Sequence, residues 1–142
     1  MTIAAILERK GREVVSIGAD ARVSEAVALL ARRKIGAVPV TEGGKVAGIL
    51  SERDVIQCLS SDGAAVLDWP VSRVMTAPAI TIDTRVNVLG ALSQMSRRRI
   101  RHLPVVEDGR LAGIVSIGDL VAHRIAMIEE EAEAMRSYIQ SA

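Results

Sequence analysis

The chain has 142 residues, 49% of them hydrophobic, and its 18 Lys and Arg against 17 Asp and Glu leave a formal net charge of +1. That length supports one compact domain with its own core, while the balanced charge offers no global field to recruit nucleic acid or an acidic membrane, so any anion site must be local. Aromatic residues are 1% and Phe is absent, so the core must be aliphatic, which suits α/β layering with β-branched residues in strands.

The opening MTIAAILERKG is helix-like and is read as a lead over residues 1–13. It lacks the basic and long apolar regions of an export signal, and no apolar run approaches about 18 residues, so the expected location is the cytoplasm with no membrane partner. A short strand is predicted at 15–17. A helix follows, whose Val23, Ala26, Val27 and Leu30 fall on one face. The strand AVPVT, the turn EGGK, the strand VAGILS and a second helix complete a β-α-β-β-α unit over 14–60. Cys58, the single cysteine, can form no internal disulfide and reads as a small core residue in a reducing compartment. Residues 61–78 form a turn-rich connector with an apolar segment at Val71, Val74 and Met75, anchored by Trp69.

The same series then recurs over 79–124: a strand at 80–82, a helix with Val88, Ala91, Leu92 and Met95 on one face, HLPVV, EDGR, LAGIVS and a helix. Residues 15–56 lie on residues 80–121 without a gap, an offset of 65 positions. Pro39 matches Pro104, Gly44 matches Gly109, and Ser51 with Asp54 recurs as Ser116 with Asp119. The expected fold is therefore α/β (α+β): two β-α-β-β-α repeats packed face to face, since a unit of that size is only marginally stable alone, with a C-terminal helix over 125–142. Such packing makes a cleft lined by both copies.

Each Ser-x-x-Asp stands where an apolar strand gives way to a helix. Its structural reading is a capping box, and its functional reading is a helix N-terminus beside a carboxylate able to accept two hydroxyl protons of a ribose. The basic residues divide on comparing copies. Arg97, Arg98 and Arg99 match Arg32, Arg33 and Lys34 and suit the negative ends of two helices, whereas Arg101 and His102 match Gly36 and Ala37 and are peculiar to the second copy. That difference makes Arg101 and His102 candidate phosphate ligands.

The duplicated unit, the phrases IGAVPV and RHLPVV, the pair GILSERD and GIVSIGD, and VSRVMTAP ahead of the second copy resemble a tandem pair of cystathionine-β-synthase (CBS) domains, a Bateman module, over nearly the whole chain. The ending RHLPV…SIGDLV followed by a helix resembles the small stand-alone bacterial CBS-pair proteins. The resemblance implies an adenosine-containing regulatory ligand: AMP, ADP, ATP, NAD or S-adenosylmethionine. It implies ribose contacts from Asp54 and Asp119, with Ser51 and Ser116 near ribose or phosphate. The backbone at Gly36, Ala37, Val38 and Pro39 and at Leu103 and Pro104 would take the adenine edge. Arg101 and His102 would meet phosphate, and Arg53 and Gly118, inside the two Ser-x-x-Asp turns, complete the candidate set. Gly36 and Ala37 depart from the basic pattern in the first copy.

An enzyme is disfavoured, with two histidines, no nucleophile motif, no metal-ligand pairing, no catalytic cofactor and no Walker loop. A nucleic-acid partner is disfavoured by balanced charge and by one Trp and one Tyr. The alternative to a sensor is a ligand-free adaptor for another protein. Past the second repeat, Val121, Ile125, Ile128, Ala132, Met135 and Ile139 step by four and three residues, the spacing of a helix seam, which predicts a homodimer.

Overall fold

In a computed structural model, which describes residues 1–11 and 13–141, apolar residues three and four apart wind the lead into α1 (Ile3–Lys10). The first repeat follows as β1 (Ile17–Gly18), α2 (Val23–Arg33), β2 (Ala37–Glu42), β3 (Lys45–Ser51) and α3 (Glu52–Asp62). A 3-10 segment, Gly63–Asp68, and the short α4 (Val71–Val74) lead to the second repeat: β4 (Ile82–Asp83), α5 (Val88–Arg98), β5 (His102–Glu107), β6 (Arg110–Ser116) and α6 (Ile117–Ser141). The described residues thus hold six α-helices and two three-stranded sheets, ordered β1-β2-β3 and β4-β5-β6.

Both sheets share one register. β1 pairs parallel with β2 through Ile17 opposite Val40, and β4 pairs with β5 through Ile82 opposite Val105. These opening strands are two residues long and begin two residues later than the sequence suggests, because parallel pairing starts only where the chain draws level with Val40 and Val105. The antiparallel hairpins place Ala37 opposite Ser51 and His102 opposite Ser116. Their tight turns need left-handed backbone at two successive residues, supplied by Gly43 and Gly44 (φ 60° and 80°) and by Asp108 and Gly109 (φ 52° and 77°).

Each repeat has its own aliphatic core. Val23, Ala26, Val38, Val40 and Leu50 centre the first; Val88, Ala91, Met95, Leu103, Val105 and Val115 centre the second. Trp69 packs against the first core and lies under the Arg73 guanidinium, 3.7 Å from the ring centroid. β3 and β6 meet across the two repeats.

The segments before the repeats are exchanged. α1 packs on the second repeat, its Ile3, Ile6 and Leu7 joining that core, while α4 packs on the first. The hydrogen bonds match one for one. The Ile3 amide donates to Val86 O at 2.9 Å and the Val71 amide to Ala21 O at 2.7 Å; the Val88 amide donates to Met1 O and the Val23 amide to Trp69 O. Leu7 lies over Gly113 as Met75 lies over Gly48. Each repeat is therefore completed by the segment that precedes the other.

α6 differs from α3. It runs 25 residues without a break, so the expected boundary at 124/125 falls inside one helix, and residues 128–141 project beyond the second repeat as an exposed arm.

Candidate functional site

The first-repeat cleft is built at the junction of β3 and α3. Ser51 is extended (φ −107°, ψ 159°), so its side chain can turn back over the first helical turn. The Asp54 amide donates to Ser51 Oγ at 3.2 Å, and the Ser51 amide donates to Asp54 Oδ2 at 2.9 Å, a closed capping box. Asp54 Oδ1 accepts a hydrogen bond from Thr76 Oγ1 at 3.1 Å. Thr76 is held in place by exchanging backbone hydrogen bonds with Ile49 at 3.0 and 2.9 Å.

Across from this carboxylate stand Arg101 and His102, at the start of β5. One cavity of about 330 Å³ is lined by Ser51, Arg53, Asp54 and Thr76 on one side, by Gly36, Ala37, Ile49 and Glu52, and by Arg99, Ile100, Arg101 and His102 from the other repeat. Its size lies in the range of small-molecule sites, roughly 300–1,000 Å³. Gly36 lies between the two sides of the cavity: a Cβ there would make ordinary contact, at 3.5 Å, with both Glu52 Oε1 and His102 Cε1. Burial, foremost, holds the His102 imidazole below its usual pKa; Lys10 and Arg101 push the same way, and Asp119 and Glu52 oppose them.

The cavity thus gathers seven of the residues singled out in the sequence: Gly36, Ala37, Ser51, Arg53, Asp54, Arg101 and His102. Val38, Pro39, Leu103 and Pro104 are buried in the strands behind it. Thr76, Glu52 and Arg99 line the cavity without having been singled out as ligands. Arg99 is the left-handed residue ending α5 (φ 54°), as Lys34 is for α2, so its place in the basic trio disguised its second position at the cleft.

The second-repeat cleft is different. Ser116 and Asp119 form the same reciprocal pair, at 2.9 and 3.0 Å. Here, however, α1 continues through Lys10, whose ammonium donates to Asp119 Oδ2 at 2.8 Å and to Ile114 O at 2.9 Å. Burial alone would raise the Asp119 pKa, but the Lys10 hydrogen bond, the Ser116 amide and the Lys10 charge outweigh it and lower it. A cavity of about 300 Å³ beside this pair is lined by Ile6, Arg9, Lys10, Asp119, Ala122 and His123; Gly118 is exposed nearby. The His123 ring is buried, and neither of its nitrogens has a hydrogen-bond partner among the described residues.

A larger depression, about 590 Å³, lies between α2 and α3. Its lining is aliphatic apart from Lys34 and Glu52, so it lacks the convergent polar groups that orient a nucleotide. Among the described residues no group of three or more His, Cys, Asp and Glu is placed to hold a metal, and no helix is long and apolar enough to cross a membrane.

The sequence pattern that defines the CBS domain matches this chain twice, over residues 8–61 and 71–126. The chain belongs to the CBS-domain family. A CBS-domain containing protein of Agrobacterium tumefaciens, of known crystal structure, is 43% identical, with a TM-score of 0.82 over 87% of this chain and 92% of that one. The mitochondrial CBS domain-containing protein CBSX3 of Arabidopsis thaliana is 32% identical over 98% of this chain and 72% of its own length. The CBS domain pair of protein MJ0100, crystallised in complex with 5′-methylthioadenosine and S-adenosyl-L-methionine, shares the fold with a TM-score of 0.79 at 23% identity, over 89% of this chain and 98% of that one. The two CBS repeats and their mixed α/β fold are therefore those the sequence indicated.

Proposed function

We propose that this protein is a non-catalytic cytoplasmic sensor. It binds one adenine nucleotide, AMP, ADP, ATP or NAD, in the first-repeat cleft and relays occupancy through a homodimer to a regulated protein. The observation that carries this reading is the facing of Ser51 and Asp54 from one repeat with Arg101 and His102 from the other across a single cavity. The Asp54 carboxylate accepts the ribose hydroxyls, with Thr76 yielding its hydrogen bond. Backbone at Gly36 and Ala37 takes the adenine edge, and Arg101 and His102 meet phosphate through charge-assisted hydrogen bonds. The adenosine ligands of the MJ0100 pair support the ligand class. CBS pairs are generally regulatory modules, which supports the absence of catalysis.

Asp119, Ser116 and Gly118 are assigned no nucleotide in the resting protein. The Asp119 charge is already paired with Lys10, which donates to Oδ2, the oxygen that also accepts the Ser116 amide.

A melting panel with AMP, ADP, ATP, NAD and S-adenosylmethionine tests the reading. A nucleotide at about 100 times its Kd stabilises the fold by about 2.7 kcal/mol, a clear rise in Tm. Five flat curves would refute the sensor and favour a ligand-free adaptor.

A further inference from the structure

Three guanidinium groups line the first-repeat cavity, and a single phosphate on Arg101 and His102 engages only one of them. Arg53 enters from the first turn of α3, and Arg99 and Arg101 enter from the stretch between α5 and β5. All three are exposed. Among the described residues none of the three makes a side-chain hydrogen bond or an ion pair, although Glu52 and Asp54 belong to the same lining. Asp54 is directed instead to the Ser51 amide and the Thr76 hydroxyl.

Arg99 is placed by the backbone. It ends α5 in the left-handed conformation, φ 54° and ψ 41°, its own amide donating to Ser96 O at 3.4 Å and the Ile100 amide to Met95 O at 3.1 Å. Lys34 ends α2 in the same way but lines the depression between α2 and α3. Of the two turns, only that of the second repeat brings its cation to this cavity. An AMP phosphate held by Arg101 and His102 leaves Arg53 and Arg99 facing water, where solvated charges contribute little. A second phosphate, joined to the first through one bridging oxygen, offers each of them a planar bidentate partner. It is also met from both repeats, by Arg53 from the first and Arg99 from the second, whereas the phosphate of AMP is met from the second alone.

We propose that the cavity is built for an adenosine 5′-diphosphate group, with Arg99 and Arg53 holding the second phosphate and thereby selecting this group over AMP. The group occurs free as ADP and as the bridge of NAD, and the same two guanidinium groups read it in either. The proposal rests on the nucleotide reading above and narrows it.

Calorimetric titration of the full chain with AMP, ADP and NAD, without divalent cations, tests it in wild type, Arg99→Gln, Arg99→Lys and Arg53→Gln. Wild type is expected to bind ADP, NAD or both at least about tenfold more tightly than AMP, the gain of one charge-assisted contact, and whichever does so names the source of the group. Arg99→Gln and Arg53→Gln each reduce that preference. Arg99→Lys, which keeps the charge and loses the planar fork, retains part of it. The ratio of affinities is the readout, because a replacement that merely disturbed the end of α5 would weaken all ligands together. A ratio unchanged in both glutamine variants overturns the proposal. A wild type that binds AMP as tightly as ADP and NAD overturns it too and leaves the nucleotide reading standing, whereas a wild type that binds none of them strikes the nucleotide reading itself.

Discussion

Lys10 donates a 2.8 Å hydrogen bond to Asp119 Oδ2, whereas Asp54, its counterpart in the first repeat, accepts from two neutral donors among the described residues, the Thr76 hydroxyl at 3.1 Å and the Ser51 amide at 2.9 Å. Two capping boxes of the same geometry therefore present unequal carboxylates, one neutralised by an ammonium group and one available beside Arg101 and His102. Replacing Lys10 by Ala removes an ion pair whose partners are 40% and 29% exposed, a loss of at most about 1 kcal/mol in stability. The same change frees Asp119, so calorimetry is expected to show AMP stoichiometry rising from one toward two per chain. Unchanged stoichiometry would mean that Lys10 does not guard the second cleft.

The exchanged lead segments make two glycines unequal. A Cβ on Gly48 would sit 2.7 Å from Thr76 O and 2.8 Å from Met75 Sδ, and on Gly113 it would sit 2.7 Å from Leu7 Cδ2. A backbone carbonyl yields less readily than the end of a leucine. Gly48→Ala should cost roughly 1–3 kcal/mol in denaturant unfolding, and Gly113→Ala less, because Leu7 can turn. The reverse order would contradict this packing.

Capping and binding separate at Ser51 and Asp54. Ser51→Ala should lose about 0.5–2 kcal/mol of stability from the exposed amides of the first turn of α3, and Ser116→Ala a similar amount from α6. Asp54→Ala should additionally weaken AMP and adenosine alike, because both carry the ribose; a nucleotide affinity untouched by Asp54→Ala would remove Asp54 from the site.

His102 sets the pH dependence. Its pKa lies below 6.5 in the folded protein, chiefly through burial, so the unfolded chain binds protons more readily there. Its contribution to stability is complete above about pH 6.5 and is lost as pH falls through the window below. A bound phosphate favours the imidazolium, so AMP binding takes up a proton and affinity rises on acidification. The rise continues below pH 6.5, where a histidine of ordinary pKa would level off. Titrating AMP against pH with wild type and His102→Gln, which share the phosphate's own ionisation near 6, isolates the effect. Equal slopes would contradict a His102 contact.

What the sequence shows of this site is what is local or duplicated. Ser51 and Asp54 are legible because a capping box needs only four consecutive residues, and Arg101 and His102 stand out because Gly36 and Ala37 occupy the same places in the other copy. Lys10 and Thr76 escape notice for a physical reason. Lys10 meets partners more than 100 residues away, and the packing equivalence of α1 with α4 pairs Leu7 with Met75, an offset three longer than that of the repeats. The two-residue lengths of β1 and β4 are likewise set by their neighbours β2 and β5 rather than by the apolar runs that announce them.

The division of labour across the cleft, ribose on Asp54 from one repeat and phosphate on Arg101 and His102 from the other, is tested most directly by calorimetric titration of AMP and of adenosine into wild type and into Arg101→Ala with His102→Ala. The double replacement should weaken AMP by about 1.5–3 kcal/mol for each charge-assisted hydrogen bond lost and leave adenosine nearly unchanged. If AMP and adenosine weaken equally, or neither weakens, the basic pair is a solvated strand edge and the phosphate assignment fails.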